Sequence, residues 1–500
     1  MPNSLTADIA IIGSGFAGSL TATILKKLGF TVVLLDKSTH PRFAIGESST
    51  PIGNLVLRDF SKKYDLPWLK PLTEYGLWRD YYPHLRVGRK RGFSYFKHVP
   101  QQRFTLRPDH GNELLVAASK DNERSDTHWF RADVDAFLYK EAQKVGVMCY
   151  DDTMIEKARP GTTWRLSCKK AGNTRFEVNA SFVIDATGRA GALAHFLKIP
   201  SRLESLRTHT RALFAHIDGL PSWHNFLVQQ GMPPQNHPYY CDDAAVHHLL
   251  DNAWLWMLRF STSRTSAGIV LDASSYPNPI EFEDIICEYP SLLSLFEQAT
   301  FAAPTHQLVK TGRLQHWWAQ AAGPNWAMLP HTAGFVDPLH STGIAHTLCG
   351  AERLIQIIQQ HWGTPSMPHA LEQYDHRIHA EISHIDQLVY GCYRAMDHFD
   401  LFTAYSMLYF AAAITYEEDR LAHQSEGTTQ TRYFLCAEDN RLKDIIGSTY
   451  HHLVDILNSG PTPDAISEFT VETAQRIAPY NTAGLFTPRI PNMYEYTATL

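Results

Sequence analysis

The sequence predicts an α/β fold in which a parallel βαβ unit is interwoven with an antiparallel sheet and followed by a helical C-terminal region. Three observations predict it. Residues 8–36 read strand, glycine turn, helix, strand. Residues 202–272 read as antiparallel strands, and residues beyond 350 read as helix to the end.

In the first of these stretches, residues 9–12 form an apolar strand that runs into Gly13-x-Gly15-x-x-Gly18. A helix follows with Leu20, Ile24 and Leu28 at helical spacing, and a second strand over residues 31–35 ends in Asp36. Gly13 allows the tight turn, Gly15 lets backbone approach a pyrophosphate, and Gly18 lets the helix sit close to the strand. The helix N-terminus, at Phe16 and Ala17, offers free amides and the positive end of its dipole to phosphates. Asp36 is placed to accept the ribose hydroxyls of an adenosine. Strand, helix, strand and acid in register make a Rossmann-like dinucleotide site. A single such fingerprint implies one tightly held cofactor.

Composition sets outer limits. With 44% hydrophobic and 19% charged residues, 500 residues describe an ordinary globular chain with a large core. A net charge of −6 leaves no basic footprint for nucleic acid or anionic lipid. Seven scattered cysteines without a CxxC pair suit a reduced cytoplasmic setting better than a disulfide scaffold. The first strand starts almost at once, so no signal peptide is expected. The longest apolar run, residues 407–414, is too short to span a bilayer.

Gly46-Glu47-Ser48-Ser49 is a small polar loop leading into a helical pattern over residues 52–64, with Ser48, Ser49 or Thr50 as N-cap. Residues 85–98 alternate as a strand that puts Lys90, Ser94 and Phe96 on one face and Phe93, Tyr95 and Lys97 on the other. The basic residues at 86, 89, 90 and 91 read as a solvated edge. A helix of about four turns begins at Arg131. Short strands follow, the last ending in Asp185-Ala186-Thr187-Gly188, where backbone is delivered to a ligand at a strand's C-terminal end.

Trp254 and Trp256 are two apart and face the same way on a strand. An apolar strand near residue 326 enters a loop that ends in Ser341, Thr342 and Gly343, with a helix starting near Ile344. Several unpaired amides there form an anion site. Loops are expected near residues 365–368 and 460–463. His331, His340 and His346 lack the spacing of a ligand set, and no metal is expected.

The motifs Gly13-x-Gly15-x-x-Gly18, Gly46-Glu47-Ser48, Arg131, Asp185-Ala186-Thr187-Gly188, Gly312-Arg313 and Gly334-Phe335-Val336-Asp337-Pro338 follow in the order seen in FAD-dependent monooxygenase-like proteins. The Trp254-x-Trp256 pair and the loop Asp337-Pro338-Leu339-x-Ser341-Thr342-Gly343-Ile344 resemble the flavin-dependent halogenases of that superfamily. The similarity covers residues 5–350 and, more loosely, the helical region. It implies FAD held by Gly13, Gly15, Phe16, Ala17, Gly18, Asp36, Lys37, Glu47, Ser48, Arg131, Asp185, Thr187, Gly188, Asp337, Gly343 and Ile344. It also implies a separate flavin reductase, and a chloride or bromide ion on the amides around Thr342 and Gly343 that is converted to hypohalous acid. Lys90-Arg91-Gly92-Phe93 matches the Lys-x-Gly pattern of phenol- and pyrrole-type halogenases, so the resemblance assigns Lys90 to hold the oxidant against an electron-rich ring, with Lys97 as rival. Trp254 and Trp256 would keep organic substrate away from the flavin.

Three departures from the family pattern carry information. Met257-Leu258-Arg259 stands where the family continues Ile-Pro. Pro330-His331 replaces Gly-Asp, leaving Asp185 or Asp337 to supply the acid that bonds the ribityl chain. His340 replaces the glutamate of tryptophan halogenases, which points to a phenolic or pyrrole-like substrate with His340 as an assisting base.

The expected organisation is an FAD-binding module over residues 1–350 and a helical region over 351–500. Within the module, dinucleotide segments lie at about 5–60, 125–200 and 305–350, and substrate-sheet segments at about 75–115 and 202–300. Apolar positions such as Leu401, Met407 and Leu408 would close the active site or a dimer. The substrate is a small aromatic molecule, free or bound to a carrier protein that would meet the basic 86–91 segment. The alternative is a non-halogenating FAD-dependent monooxygenase, dehydrogenase or reductase on the same fold.

Overall fold

The computed structural model describes residues 4–426, 432–495 and 497. Strand Ser4–Ile12 lies inside the first sheet, parallel to Arg175–Asp185 on one side and to Val32–Leu35 on the other. Met148–Tyr150 extends the sheet past Val32–Leu35, and Trp326–Met328 extends it past Arg175–Asp185, both in parallel. Ile9, Ala10 and Ile11 are fully buried, as a parallel strand covered on both faces requires. Because these strands point the same way, with Ile12 level with Asp185 and Asp185 level with Met328, the loops after them emerge at one edge.

Two glycines set the packing at that edge. A Cβ on Gly18 would lie 1.9 Å from the Gly13 carbonyl oxygen, and one on Gly13 would lie 2.5 Å from that of Ala186. Only glycine lets helix Phe16–Lys27 approach the strand and the 186–188 turn so closely.

In the second sheet, Thr210–Asp218, Arg264–Asp272, Ala253–Arg259 and Ala245–Leu250 are successive antiparallel neighbours. Gly92–Lys97 then adds in parallel to Ala245–Leu250 and pairs antiparallel with Glu113–Ala117. A helix, Trp223–Gln229, interrupts the region expected to be sheet alone. Val309–Arg313 pairs with Thr210–Asp218, so this part of the segment expected in the dinucleotide unit belongs to the second sheet.

Residues 85–98 are not one strand. Val87–Lys90 pairs with Asp126–Trp129, while Gly92–Lys97 belongs to the second sheet, and Arg91 is the break between them. The alternation therefore fails across Arg91, and the Lys90 ammonium lies 4.2 Å from the centre of the Phe93 ring instead of facing away from it. Nor is the basic run solvated. Arg86 pairs with Asp133, Arg89 with Asp243, and Arg91 donates to the carbonyls of Ser119 and Lys120, while Lys90 is buried.

Helices Thr342–His361, Met367–Ala395, Phe399–Glu426, Asn440–Ser459 and Pro463–Ile477 form the C-terminal region. On Phe399–Glu426, Leu401, Met407 and Leu408 are fully buried, and each contributes about 1.5–3 kcal/mol by leaving water. The same helix lays Phe402 5.4 Å from Tyr95 and Phe410 5.8 Å from Phe93, which covers strand Gly92–Lys97. The chain is not helical to its end. Met493–Tyr494 returns to the second sheet, parallel to Leu115 and Val116. Among the described residues no helix is long and apolar enough to cross a membrane.

The break at Arg91 depends on Gly92, where a Cβ would lie 1.9 Å from the Val116 carbonyl oxygen. Gly92→Ala should destabilise the fold by about 1–3 kcal/mol in a denaturant melt. An unchanged melt would show that strand Glu113–Ala117 yields freely.

Candidate active site

A cavity of about 470 Å³ opens where the loops of the first sheet meet the second sheet. Its walls run from Gly15, Phe16 and Ala17 past Glu47, Ser48, Arg131, Thr187 and Gly188 to Gly343, Ile344, Trp254 and Trp256. Most of the residues picked out in the sequence are therefore brought to one space.

At one end, helix Phe16–Lys27 begins at Gly15 without a side-chain cap and without an acid in its first turn, so its free amides face the cavity as an anion site. A Cβ on Gly15 would meet only side-chain ends, the nearest 3.7 Å away, so the backbone here is open to a ligand. Arg131 stands over the Phe16 ring at 4.7 Å. Its guanidinium forks onto Asp135 at 2.8 and 2.9 Å and donates to the carbonyls of Ile45 and Gly46 at 3.0 and 3.1 Å. Arg131 thus fastens the loop before Glu47 over the fingerprint. Glu47 accepts from His216 at 3.0 Å through one oxygen, and its other oxygen is buried without a partner.

Asp36 accepts from the Ser14 amide and hydroxyl, the Ser38 amide and Arg42, at 2.7 to 3.0 Å. It braces the fingerprint from behind, while Lys37 is exposed and away from the cavity. Thr50, not Ser48 or Ser49, occupies the N-cap of helix Pro51–Lys63, and its side chain makes no capping bond.

Asp185 accepts from the amide and hydroxyl of Thr187 and from the Leu193 amide. Asp337 accepts from Thr210, Tyr393 and the Leu339 amide at 2.9 to 3.0 Å. Both carboxyls stand behind the cavity wall, where burial raises them, Asp337 to about 7. Neither takes the place of the acid missing at residue 331. That place in the lining belongs to His331 itself, whose imidazole burial lowers to about 3, leaving it neutral.

Helix Thr342–His361 starts after Ser341, which adopts the left-handed conformation (φ 53°) and whose hydroxyl donates to that of Ser48 at 3.1 Å. No side chain caps this helix and no acid stands in its first turn. A Cβ on Gly343 would meet nothing within 4 Å, while Thr342 lines a smaller adjoining pocket with His346. The two tryptophans face the cavity together with ring centres 6.1 Å apart. Trp254 donates to the Tyr393 hydroxyl at 2.7 Å, and Tyr393 donates on to Asp337. Without a proline, strand Ala253–Arg259 stays paired through Arg259.

Lys90 is 0% exposed, and its ammonium donates to the Ser49 carbonyl at 2.6 Å, one residue from Ser48 in the cavity wall. Asp126 lies opposite it in the strand pair and accepts from Asn54 at 2.6 Å. Burial pulls the Lys90 amine below its usual range and pushes the Asp126 carboxyl above its own. Lys97, the rival, points elsewhere, to Asp251 and the Leu250 carbonyl at 3.3 Å. His340 stacks on Tyr409 at 4.2 Å with its Nε2 3.5 Å from the Cys392 sulfur, and burial lowers it to about 3. It does not line the cavity. Among the described residues no group of three or more His, Cys, Asp or Glu side chains is placed to hold a metal ion.

Sequence reasoning missed Asp126, Tyr393 and the cavity role of His331, because each acquires its meaning from partners far along the chain. One outcome follows from the loop clamp. Arg131→Ala removes bonds from a charged donor and should weaken FAD binding about ten- to hundred-fold, measured by flavin fluorescence quenching. An unchanged Kd would remove Arg131 from the cofactor site.

The tryptophan halogenase family model matches residues 126–405, and the NAD(P)-binding Rossmann-like domain model matches residues 11–85. The chain is 28% identical over 422 residues to monodechloroaminopyrrolnitrin halogenase of Pseudomonas fluorescens, covering 81% of this chain and 71% of that one. It is 28% identical over 357 residues to tetracycline 7-halogenase of Kitasatospora aureofaciens, covering 68% and 61%. The crystal structure of the halogenase PltM in complex with phloroglucinol and FAD has the same fold, with a TM-score of 0.85 at 22% identity over 99% of this chain and 100% of that one. With the family model spanning more than half its length, the chain belongs to the tryptophan halogenase family, a family of flavin-dependent enzymes.

Proposed function

We propose that this flavin-dependent halogenase attaches chlorine or bromine to a small, electron-rich phenolic or pyrrole-like ring held beside Lys90. The observation that carries the proposal is a fully buried lysine one residue behind the wall of a cavity that begins at a dinucleotide fingerprint. The relatives named for an aminopyrrolnitrin and a tetracycline, and the fold neighbour's complex with phloroglucinol, support the same substrate class.

The cavity residues fit FAD. The open backbone at Gly15 and the uncapped amides of Phe16 and Ala17 suit a pyrophosphate, and the loop clamped by Arg131 covers it. Glu47, Ser48, Thr187, Gly188, Gly343 and Ile344 would hold the remainder. When bound in its reduced form, FAD would supply two of the four electrons that dioxygen takes up, the halide giving the other two, so that one oxygen leaves as water and the other ends in hypohalous acid. The amides of Thr342 and Gly343, uncapped and free of nearby acids, would bind the halide. Trp254 and Trp256 form a wall that keeps organic substrate from the cofactor end. Lys90, with a desolvated amine, both donates to the oxidant and reacts as a nucleophile. His340 is neutral at working pH, with one donor and one acceptor nitrogen, and stands outside the cavity lining, stacked on Tyr409.

A separate flavin reductase fits a chain with one dinucleotide fingerprint. A free substrate fits better than a carrier-bound one, since Arg86, Arg89 and Arg91 are committed to internal partners. A reduced, cytoplasmic setting is part of the same proposal and is supported by seven free cysteines.

The test is mass spectrometry of reactions with FAD, a flavin reductase, NADH and dioxygen, with bromide, chloride or no halide, over phenols, pyrroles and indoles. A halide-shifted product should fall to background in Lys90→Ala and persist in Lys97→Ala. Oxidised product without halide would instead favour the non-halogenating alternative. Because a free amine is required and burial pulls Lys90 below the usual lysine range, the rate should rise with pH at a pH well below that at which an exposed lysine loses its proton. His340→Ala should change kcat without moving that profile, since the imidazole stays uncharged above about 3. A moved profile would make His340 the titrating group.

A further inference from the structure

The short helix Pro330–Ala333 puts His331 where two cavities meet. One is the cofactor cavity of about 470 Å³, and the other is the small pocket beside it, about 10 Å³, that Thr342 and His346 also line. Gly343 and Phe335 likewise border both, so the two spaces share a wall made of the His331 side and the start of helix Thr342–His361.

The His331 ring is held from several sides. A Cβ on Gly188 would lie 3.3 Å from its Cδ2 and 3.9 Å from its Nε2, so that edge of the imidazole rests against the turn at Gly188 in the cofactor cavity. The Gly188 amide donates to the Thr332 hydroxyl at 3.0 Å, which fixes this turn to the same short helix. The rings of Phe335 and His316 stand 5.0 and 5.8 Å away, and His316 Nε2 donates to the His331 carbonyl at 2.9 Å. The His331 imidazole itself has no hydrogen-bond partner among the described residues.

The other polar groups of the small pocket are engaged. His346 Nε2 bonds Glu381 at 3.0 Å. Burial opposes the Glu381 charge, but the Arg353 guanidinium, bonded to both its oxygens, holds the carboxyl below its usual range. The Thr347 hydroxyl donates to the Gly343 carbonyl at 2.7 Å. What is left for an occupant is the uncapped helix start at Thr342 and Gly343 and the His331 ring. A space of about 10 Å³ takes one occupant of water size, and free amides at a helix start favour an anion there. Burial, aided by His316, Arg131 and His346, lowers His331 to about 3, so its imidazole is neutral and carries one donor and one acceptor.

We propose that His331 binds two ligands at once: one ring nitrogen accepts from a hydroxyl of FAD in the large cavity, and the N–H of the other reaches a single halide ion in the small pocket, so that cofactor and halide tighten each other's binding. The proposal rests on the reading of Thr342 and Gly343 as the halide amides. The coupling comes from the tautomer. The hydroxyl needs one nitrogen bare and the halide needs the other protonated, so whichever ligand binds first prepares the ring for the second.

The test titrates FAD into the FAD-free enzyme by flavin fluorescence quenching in sodium chloride, sodium bromide and sodium gluconate at equal ionic strength. Wild type, His331→Asn, His331→Phe and His331→Asp are compared, with a thermal melt of each. In wild type the FAD Kd should be at least about five-fold lower in chloride or bromide than in gluconate, the lower end of coupling between two sites. His331→Phe keeps a ring but has no nitrogen, so it should bind FAD about two- to ten-fold more weakly in gluconate and show no halide effect. His331→Asn, with a donor and an acceptor, should keep part of the effect. His331→Asp still accepts from the hydroxyl but brings a negative charge to the pocket, so halide should weaken its FAD binding. A role in packing alone would lower Tm in the variants and leave the halide effect intact; that result would overturn the proposal, as would a wild type whose FAD Kd ignores halide. If His331→Phe does not fold, the sign of the effect in His331→Asp decides. The halogenation assay is independent of this titration: halogenated product without coupling sinks the His331 proposal alone, and coupling without halogenated product sinks the halogenase reading alone.

Discussion

The bond from the Lys90 ammonium to the Ser49 carbonyl joins the two halves of this molecule. Ser49 belongs to the polar loop that borders the dinucleotide cavity, while Lys90 ends the strand that precedes the second sheet. A charged amine at zero exposure is tolerated only with partners close by, and the carbonyl, Asp126 and the Phe93 ring supply them. The turn at Arg91, the glycine after it and the helix packed over Phe93 are what remove water from the amine. The same burial that makes the lysine costly pulls its amine below the usual lysine range.

The cavity has a firm frame because three acids stand behind its walls. Asp36, Asp185 and Asp337 each bind backbone or side-chain donors of the protein and so fix the fingerprint, the 186–188 turn and the loop before Ser341. Asp337 reaches further, through Tyr393 to the indole of Trp254. The tryptophan wall is thereby tied to helix Met367–Ala395, so the helical region sets the position of a residue on the second sheet. With these three carboxyls behind the walls, Glu47 is the acid left in the lining, which otherwise presents free amides, neutral imidazoles and aromatic faces.

What was legible in the sequence was what local backbone geometry enforces. The glycine fingerprint, the paired tryptophans and the Ser341–Gly343 helix start carry their constraints within a few residues, and each reaches the same cavity. The basic run was misread because its acids, Asp133 and Asp243, lie 47 and 154 residues away in sequence. The break at Arg91 follows from two different sheets claiming its neighbours, which no alternation pattern shows.

The return of Met493–Tyr494 to the second sheet bears on how the chain is made. Leu115 and Met493 pair across about three quarters of the chain, and at about 5–20 residues added per second the ribosome needs roughly 20–80 s to bridge that interval. Until then strand Glu113–Ala117 is an uncovered edge, able to pair with another nascent copy. Every strand of the second sheet except Met493–Tyr494 has been made by residue 313, ahead of the residue 328 that completes the first sheet, so both sheets can assemble long before this last outer strand arrives. Newly made enzyme therefore passes through a long interval of aggregation risk, in which low temperature or chaperone cover during expression protects the edge that two late residues eventually close.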